Sequence, residues 1–182
     1  MRWVNGGGWT SEIVVVPLVE QPPGNPESGQ FAWRLSVADV ETPGPFSTFK
    51  DADRTIALLR GNGFSLTHGQ LSGVPMDVPF VPYEFDGALN THCELIDGPV
   101  QDLNLMVHRS SAQMSLSFAW LTAGQPLRLD GIAALVVVDG FVPLGGYRLG
   151  YLDAVIAPGT GRDLTIESLS DAAVVAVVSC CR

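Results

Sequence analysis

The sequence predicts an all-β fold, and two observations lead to this prediction. Glycine and proline, 20 and 13 of the 182 residues, interrupt the chain at short intervals, and the segments between them are short runs rich in apolar and β-branched residues. In Phe31–Val40 the side chains alternate as they do on a strand. One face would carry Phe31, Trp33, Leu35 and Val37, and the other Arg34, Ser36 and Ala38.

The remaining elements follow in chain order. Ser11–Val16 predicts a strand after a turn at Gly6–Gly8, and the acidic, proline-rich stretch Glu20–Gly29 predicts an exposed loop. Met114–Leu121 is the one segment whose sequence is compatible with a short helix. Six further strands are predicted at Arg54–Arg60, Leu103–His108, Ile132–Val138, Asp153–Ala157, Leu164–Leu169 and Ala173–Val178.

Parts of the chain resemble other parts of it, which predicts an internal duplication. Ile56–Phe64 and Leu135–Phe141 are both apolar strands that run into a glycine turn and a second strand. Glu94–Met106 and Leu164–Val178 each contain two strands joined by a turn. We therefore expect one compact unit, 1–182, made of two related β-barrel halves at about 1–110 and 111–182 that exchange strands.

Composition excludes several classes of protein. With 46% hydrophobic and 16% charged residues the chain has the composition of a folded protein. Ten Lys and Arg against 19 Asp and Glu give a net charge of -9, which disfavours partners such as nucleic acid or an anionic membrane. The apolar runs are too short to span a bilayer, and the first residues lack the apolar stretch of a secretory signal. Three cysteines, two of them adjacent, favour a reducing compartment, so a cytoplasmic location is expected.

The sequence contains no recognisable catalytic or cofactor motif. No nucleophile elbow, Ser-x-x-Lys or Walker A pattern occurs. The histidines His68, His92 and His108 are far apart, and we expect each to lie on the surface or in a turn. Neither a metal site, a cofactor nor a catalytic residue is therefore predicted.

The stretch 44–61 resembles the first motif of the cupin superfamily, HxH(x)4E(x)6G, in its spacing. Ser47 and Phe49 stand at the two histidine positions, Arg54 at the glutamate position and Gly61 at the closing glycine. The spacing is kept, but a serine, an aromatic ring and a cation replace the metal ligands.

Five linked motifs resemble the signature of the HutD/Ves family. They are Trp3–Ile13, Phe31–Ala38, Gly44–Phe49 with Arg54, Pro79-Phe80, and Gly98–Met106. The resemblance implies a duplicated (bicupin) β-barrel or jelly-roll fold. It also implies a role beside histidine utilisation, in which an intermediate such as urocanate or N-formylglutamate is sensed, or, for Ves-like members, a role in cold and stress responses. The chain departs from the family pattern at Val4 and at Lys50-Asp51.

Strand alternation predicts a polar pocket in the barrel. On the strand Asp102–His108, Asp102, Asn104 and Met106 share one face. We expect a ligand-binding interior with polar residues, two apolar walls and a closing N-terminal strand. The polar residues are Arg34, Ser36, Ser47, Arg54, Asp102 and Asn104, the walls are Phe49 and Met106, and the closing residues are Asn5, Thr10 and Glu12.

Two arginines facing one pocket suit a small carboxylate, because each guanidinium offers paired N–H donors to the two carboxylate oxygens. The alternative is structural: Arg34 or Arg54 pairs with Glu12 or Asp102. The favoured function is a non-enzymatic protein that binds a carboxylate metabolite. Two others stay open: a metal-independent isomerase or hydrolase with Glu12 or Asp102 as general base, and a protein-interaction module. A homodimer is the expected assembly.

Overall fold

The structure, a computed structural model, describes residues 1–3, 6–18, 31–111, 113–157, 162–169 and 171–180. These residues form strands and turns, which confirms the all-β prediction. Among them there is no helix long and apolar enough to cross a membrane. The chain divides into two compact units, Met1–Ala112 and Gln113–Arg182. The predicted loop Glu20–Gly29 lies outside the described residues.

The first unit contains strands β1 to β9. They are β1 (Gly8–Pro17), β2 (Phe31–Val40), β3 (Gly44–Pro45), β4 (Ala52–Arg60), β5 (Phe64–His68), β6 (Val74–Met76), β7 (Tyr83–Asp86), β8 (Thr91–Leu95) and β9 (Val100–His108). Five of them form an antiparallel sheet in the order β1-β2-β9-β4-β7, and the other four form a sheet in the order β3-β8-β5-β6.

The two sheets of the first unit pack face to face around one hydrophobic core. Ile56 and Leu58 of β4 and Val100 of β9 come from the five-stranded sheet, and Phe64 and Leu66 of β5 come from the four-stranded sheet. All five side chains are at most 3% exposed. Burial of this apolar surface stabilises the sandwich.

The second unit contains strands β10 to β16. They are β10 (Met114–Thr122), β11 (Leu127–Asp139), β12 (Val142–Leu144), β13 (Tyr147–Leu149), β14 (Ala154–Ile156), β15 (Arg162–Ile166) and β16 (Ala172–Cys180). The order β10-β16-β11-β14 forms one sheet in which β15 also pairs with β11, and β12 and β13 form a hairpin. Leu121, Leu135 and Val175 lie in its hydrophobic core.

The possibility of a helix at Met114–Leu121 is wrong. This segment is strand β10, which pairs with β16 over its whole length, from Met114 opposite Cys180 to Thr122 opposite Ala172. The helix propensity of a short segment is a weak local term, and the ladder to a strand that lies far along the chain overrides it. The duplicated closed barrel and the exchange of strands between halves stay predictions.

Candidate ligand-binding cavity

The first unit contains a cavity of about 520 Å³ against the inner face of its five-stranded sheet. Side chains of β2, β4 and β9 form one wall, and the chain around β3 and the first residues contribute the rest. The lining residues are Met1, Arg2, Trp3, Arg34, Ala38, Pro45, Phe46, Ser47, Phe49, Arg54, Asp102, Asn104 and Met106.

Strand register decides which of these side chains are neighbours. Met106 of β9 lies opposite Arg34 of β2 on one side and opposite Arg54 of β4 on the other. Two residues earlier, Asn104 lies beside Ser36, and two residues earlier again Asp102 lies beside Ala38. Because alternate residues share a face, the three positions of β9 form a row along the cavity wall.

Arg54 is a buried cation enclosed by aromatic rings. Its residue is 4% exposed, and its guanidinium carbon lies 5.2, 5.8 and 5.1 Å from the ring centroids of Phe46, Phe49 and Phe85. Such contacts stabilise a cation through the ring quadrupole. Nη1 donates to the carbonyl oxygen of Ser47 at 3.2 Å, whereas Nε has no hydrogen-bond partner.

The guanidinium of Arg54 stays charged at neutral pH. Burial lowers the pKa of Arg54 to about 10, while the nearby charge of Asp102 raises it and that of Arg34 lowers it. The rings thus hold a positive charge in place, with one donor unsatisfied.

Arg34 is held by an acidic residue of the neighbouring strand. Its Nε lies 3.2 Å from Oε1 of Glu12, and the two side chains are 14% and 53% exposed. The contact is an ion pair without hydrogen-bond geometry, so this Nε also lacks a hydrogen-bond partner. The structural pairing of Arg34 with Glu12 is therefore present, and Arg34 lines the cavity as well.

Asp102 and Asn104 are buried acceptors without donors. They are 1% and 5% exposed, and neither carboxylate oxygen of Asp102 nor Oδ1 of Asn104 has a hydrogen-bond partner. The pKa of Asp102 is raised to about 7, mainly by burial; the charge of Arg54 opposes this shift and that of Asp39 adds to it. Leaving a buried polar group unsatisfied costs about 1–3 kcal/mol, so such groups in native proteins mark places that contact water, ions or ligands.

Trp3, near the N-terminus, contributes an aromatic ring to the cavity wall beside Phe46. Nε1 of Trp3 donates to Oγ1 of Thr10 at 2.7 Å, and the indole ring meets Phe46 edge to face with centroids 5.9 Å apart. These contacts fix Trp3 and Phe46 in place beside Arg54.

The structure brings together most of the predicted site residues. Those that line the cavity are Arg34, Ser47, Phe49, Arg54, Asp102, Asn104 and Met106. Three do not line it: Thr10 contacts Trp3, Glu12 contacts Arg34, and Ser36 is buried in the sheet at 2% exposure. Asn5 lies outside the described residues.

Sequence reasoning missed six lining residues: Met1, Arg2, Trp3, Ala38, Pro45 and Phe46. Ala38 is predictable, because it lies on the same face of β2 as Arg34. Phe46 directly precedes Ser47 in the cupin-like motif, and this position next to a predicted site residue is a usable signal. Arg2 and Trp3 give no such signal, since their place at the cavity depends on how the N-terminus folds back onto β1.

The prediction for His68 is wrong. It lies at the end of β5 and is 5% exposed, with Nδ1 3.0 Å from Oγ1 of Thr91, Nε2 3.1 Å from the hydroxyl of Tyr83, and the Phe85 ring 4.9 Å away. Burial lowers the pKa of His68, and the charge of Arg54 adds to this. The polar partners come from β7 and β8, which local sequence does not reveal.

The residues at the cupin-like motif do not suit a divalent metal ion. Phe49 offers no donor atom, and the Arg54 guanidinium would repel a cation. Among the residues that the structure describes, no group of three or more His, Cys, Asp or Glu side chains has an arrangement that could hold a metal ion.

The fold places this chain among cupin-like all-β proteins. A cupin 2 conserved barrel domain protein from Leptotrichia buccalis superposes with a TM-score of 0.59 and 10% identity, over 96% of this chain and 89% of that one, a likeness of fold alone. A model of the HutD family matches residues 1–174. The chain belongs to the HutD family, which confirms the resemblance seen in the motifs.

Curated relatives match part of the chain. A Pseudomonas putida protein described as an uncharacterized 21.2 kDa protein in the hutC 3' region is 39% identical over 106 residues, 58% of this chain and 52% of that protein. Protein Ves of Escherichia fergusonii is 29% identical over 126 residues, 64% of this chain and 57% of Ves. The match thus spans little more than half the length of these relatives.

Solved structures match nearly the whole chain. PA5104 from Pseudomonas aeruginosa PAO1, a conserved protein of unknown function, has a TM-score of 0.80 at 26% identity and covers 98% of this chain and 92% of its own. HutD from Pseudomonas fluorescens SBW25 (formate condition) has a TM-score of 0.73 at 28% identity, over 100% and 94%.

Proposed function

We propose that this protein binds a small carboxylate metabolite in the cavity of the first unit and acts without catalysis. The observation that carries the proposal is Arg54, a buried cation enclosed by aromatic rings whose Nε has no hydrogen-bond partner. A carboxylate would supply that partner and would also neutralise the buried charge.

The charge of the cavity supports an anionic ligand. The whole chain has a net charge of -9 and only ten Lys and Arg, yet Arg2, Arg34 and Arg54 all line this cavity, against one lining carboxylate, Asp102. A positive cavity in an acidic protein concentrates small anions at that place and leaves the remaining surface unattractive to them.

Membership of the HutD family and the relative from the hutC 3' region connect the chain to histidine utilisation. We therefore propose urocanate or N-formylglutamate as the ligand and modulation of histidine utilisation as the role. Both molecules carry a carboxylate, and both are small enough for a cavity of about 520 Å³.

Titration calorimetry and thermal unfolding with urocanate, N-formylglutamate and glutamate test the proposal. The comparison is between the wild-type protein, Arg54→Met, which removes the cation and keeps an unbranched, flexible side chain, and Arg60→Met, a control at the exposed end of the same strand. We expect saturable binding that Arg54→Met weakens by at least about tenfold and Arg60→Met leaves unchanged. Equal binding by all three proteins, or no binding by the wild type, would contradict the proposal.

Asp102 favours a second candidate, a metal-independent isomerase or hydrolase. A buried carboxyl whose pKa is raised to about 7 in a cavity is suited to general acid-base catalysis. Proton NMR of the same acids incubated with the protein separates the two candidates. Products that form with the wild type and not with Asp102→Asn would favour the enzyme.

A further inference from the structure

His68 is a buried histidine that the proposed anion site does not use. It ends strand β5 of the four-stranded sheet, where it lies opposite Thr91 of β8 and does not line the cavity. The centroids of the His68 and Phe85 rings are 4.9 Å apart. Phe85 in turn lies opposite Arg54 in the five-stranded sheet, with its ring centroid 5.1 Å from the guanidinium carbon. The Phe85 ring therefore contacts both the histidine and the buried cation of the cavity.

The hydrogen bonds of His68 assign the position of its proton. The hydroxyl of Thr91 donates to the carbonyl oxygen of Leu89 at 3.2 Å, so Oγ1 of Thr91 accepts from Nδ1 of His68 at 3.0 Å. In the neutral ring Nε2 is then the acceptor, and the hydroxyl of Tyr83, 3.1 Å away, donates to it.

The same partners accommodate a protonated ring. A hydroxyl group can donate or accept, so the Tyr83 hydroxyl can accept from Nε2–H once His68 gains a proton. Thr91 accepts from Nδ1–H in both states. His68 can therefore change its charge without losing a hydrogen bond, although it is only 5% exposed.

The titratable groups around His68 come from neighbouring strands of both sheets. They are Arg54 of β4, Tyr83 of β7, Cys93 of β8 and Asp102 of β9, whereas β3 and β6 contribute no titratable side chain. Burial lowers the pKa of His68, and the positive charge of Arg54 lowers it further. The pKa of the Cys93 thiol is raised to about 12, mainly by burial, so Cys93 stays neutral. Asp102, whose pKa is about 7, acts on Arg54 and requires a control.

Resting on the proposed function, we infer that His68 makes anion binding in the cavity proton-dependent: a protonated His68 adds positive charge beside Arg54 and strengthens its attraction for a carboxylate. Both groups are shielded from water, so salt screens this interaction only weakly. A bound anion neutralises Arg54 and in turn favours the protonated form of His68, and linkage makes the two effects equal in free energy. The gain in affinity falls below pH 6.5, the ordinary pKa of a histidine side chain.

The charge coupling is tested first without any ligand. NMR of the histidine ring signals gives the pKa of His68 in the wild type, in Arg54→Met and in Arg60→Met, and His68→Gln identifies the signal by its loss. We expect Arg54→Met to raise the pKa of His68 and Arg60→Met, at the exposed end of β4, to leave it unchanged. An equal pKa in all three proteins would overturn the coupling.

The effect on binding is tested with N-formylglutamate, whose carboxylates stay ionised between about pH 5 and 8. Calorimetry at both ends of this range compares the wild type with His68→Gln, which keeps a donor and an acceptor but cannot ionise, and with His92→Gln, at an exposed histidine of β8. Asp102 is present in all three proteins, so its titration cancels in the comparison. We expect the gain in affinity at acid pH to be about two- to fivefold larger in the wild type and His92→Gln than in His68→Gln.

A measurement on the wild type alone serves if a variant does not fold. Saturating N-formylglutamate should raise the pKa of His68 in the NMR titration. If N-formylglutamate binds without changing this pKa, or if the wild type and His68→Gln gain equally at acid pH, the proton linkage is wrong and the anion site stands. If neither N-formylglutamate nor urocanate binds at either pH, the proposed function and the linkage are both wrong.

Discussion

Arg34 and Arg54 lie on different strands, β2 and β4, yet both face Met106 of the strand between them. Two strand spacings separate their backbones by about 10 Å. Burial is the main cause of the lowered pKa of Arg54, and repulsion by the like charge of Arg34 lowers it further. The ion pair with Glu12 offsets the repulsion between the two cations at Arg34, and the contacts with aromatic rings offset it at Arg54. The sheet therefore holds two cations at one level of the cavity.

Asp102 should make the protein less stable as the pH rises from about 4 to 7. Its pKa is raised from 3.8 to about 7 in the folded protein, so its contribution to stability is complete below pH 3.8 and is lost as the pH rises through about 7. Asp102→Asn removes the ionisable group and with it this pH-dependent loss of stability. We expect the variant to exceed the wild type in free energy of unfolding at about pH 8 by an amount on the order of 1–4 kcal/mol.

Urea unfolding of both proteins at several pH values measures the difference in their free energies of unfolding. The contributions of the other carboxylates are the same in both proteins and cancel in this difference. Parallel stability profiles of the two proteins would show that Asp102 titrates normally.

Glu12→Gln should strengthen the binding of acids. The carboxylate of Glu12 competes with a ligand for Arg34, and the substitution removes its charge. Because Glu12 is 53% exposed, we expect a gain in affinity of about two- to fivefold and a change in stability below about 1 kcal/mol. Calorimetry with urocanate measures the affinity, and Glu41→Gln, at another exposed position, is the control. Weaker binding by the Glu12 variant would mean that Glu12 contacts the ligand itself.

Tyr83→Phe should destabilise the first unit. The hydroxyl of Tyr83 is the partner of Nε2 of His68, and its loss leaves a buried ring nitrogen unsatisfied. The expected cost is about 1–2 kcal/mol, because the phenyl ring still packs against Phe85. Denaturant unfolding measures it. Tyr147→Phe, at a residue that is 75% exposed in the second unit, should be neutral; an equal effect of the two substitutions would contradict the role given to Tyr83.

Gly61→Ala should destabilise the turn that closes the cupin-like motif. Gly61 has φ +100°, and an added Cβ would lie 2.7 Å from the backbone oxygen of Pro99. Strain and this contact together should cost on the order of 1–3 kcal/mol. Gly69→Ala is the matched control, because its φ is also positive, +61°, but nothing lies within 4 Å of its added Cβ. Equal losses in thermal unfolding would mean that the close approach to Pro99 contributes nothing.

The sequence by itself determined the faces of the central strands. Alternation along β2 and β9 places Arg34 with Ala38, and Asp102 with Asn104 and Met106, because the period of two is a property of each strand alone. The spacing of the cupin-like motif likewise identified Ser47, Phe49 and Arg54 as residues of one site.

Only the tertiary structure decided which faces meet. Strand order and register set Arg34 and Arg54 against Met106, whereas Ser36, on the same face of β2 as Arg34, is buried without lining the cavity. The phenyl ring of Phe85 beside Arg54, the burial of His68 and the strand at Met114–Thr122 likewise depend on partners distant in sequence. Side-chain periodicity is local and readable from the chain, whereas pairing and burial arise from contacts between segments that no single segment encodes.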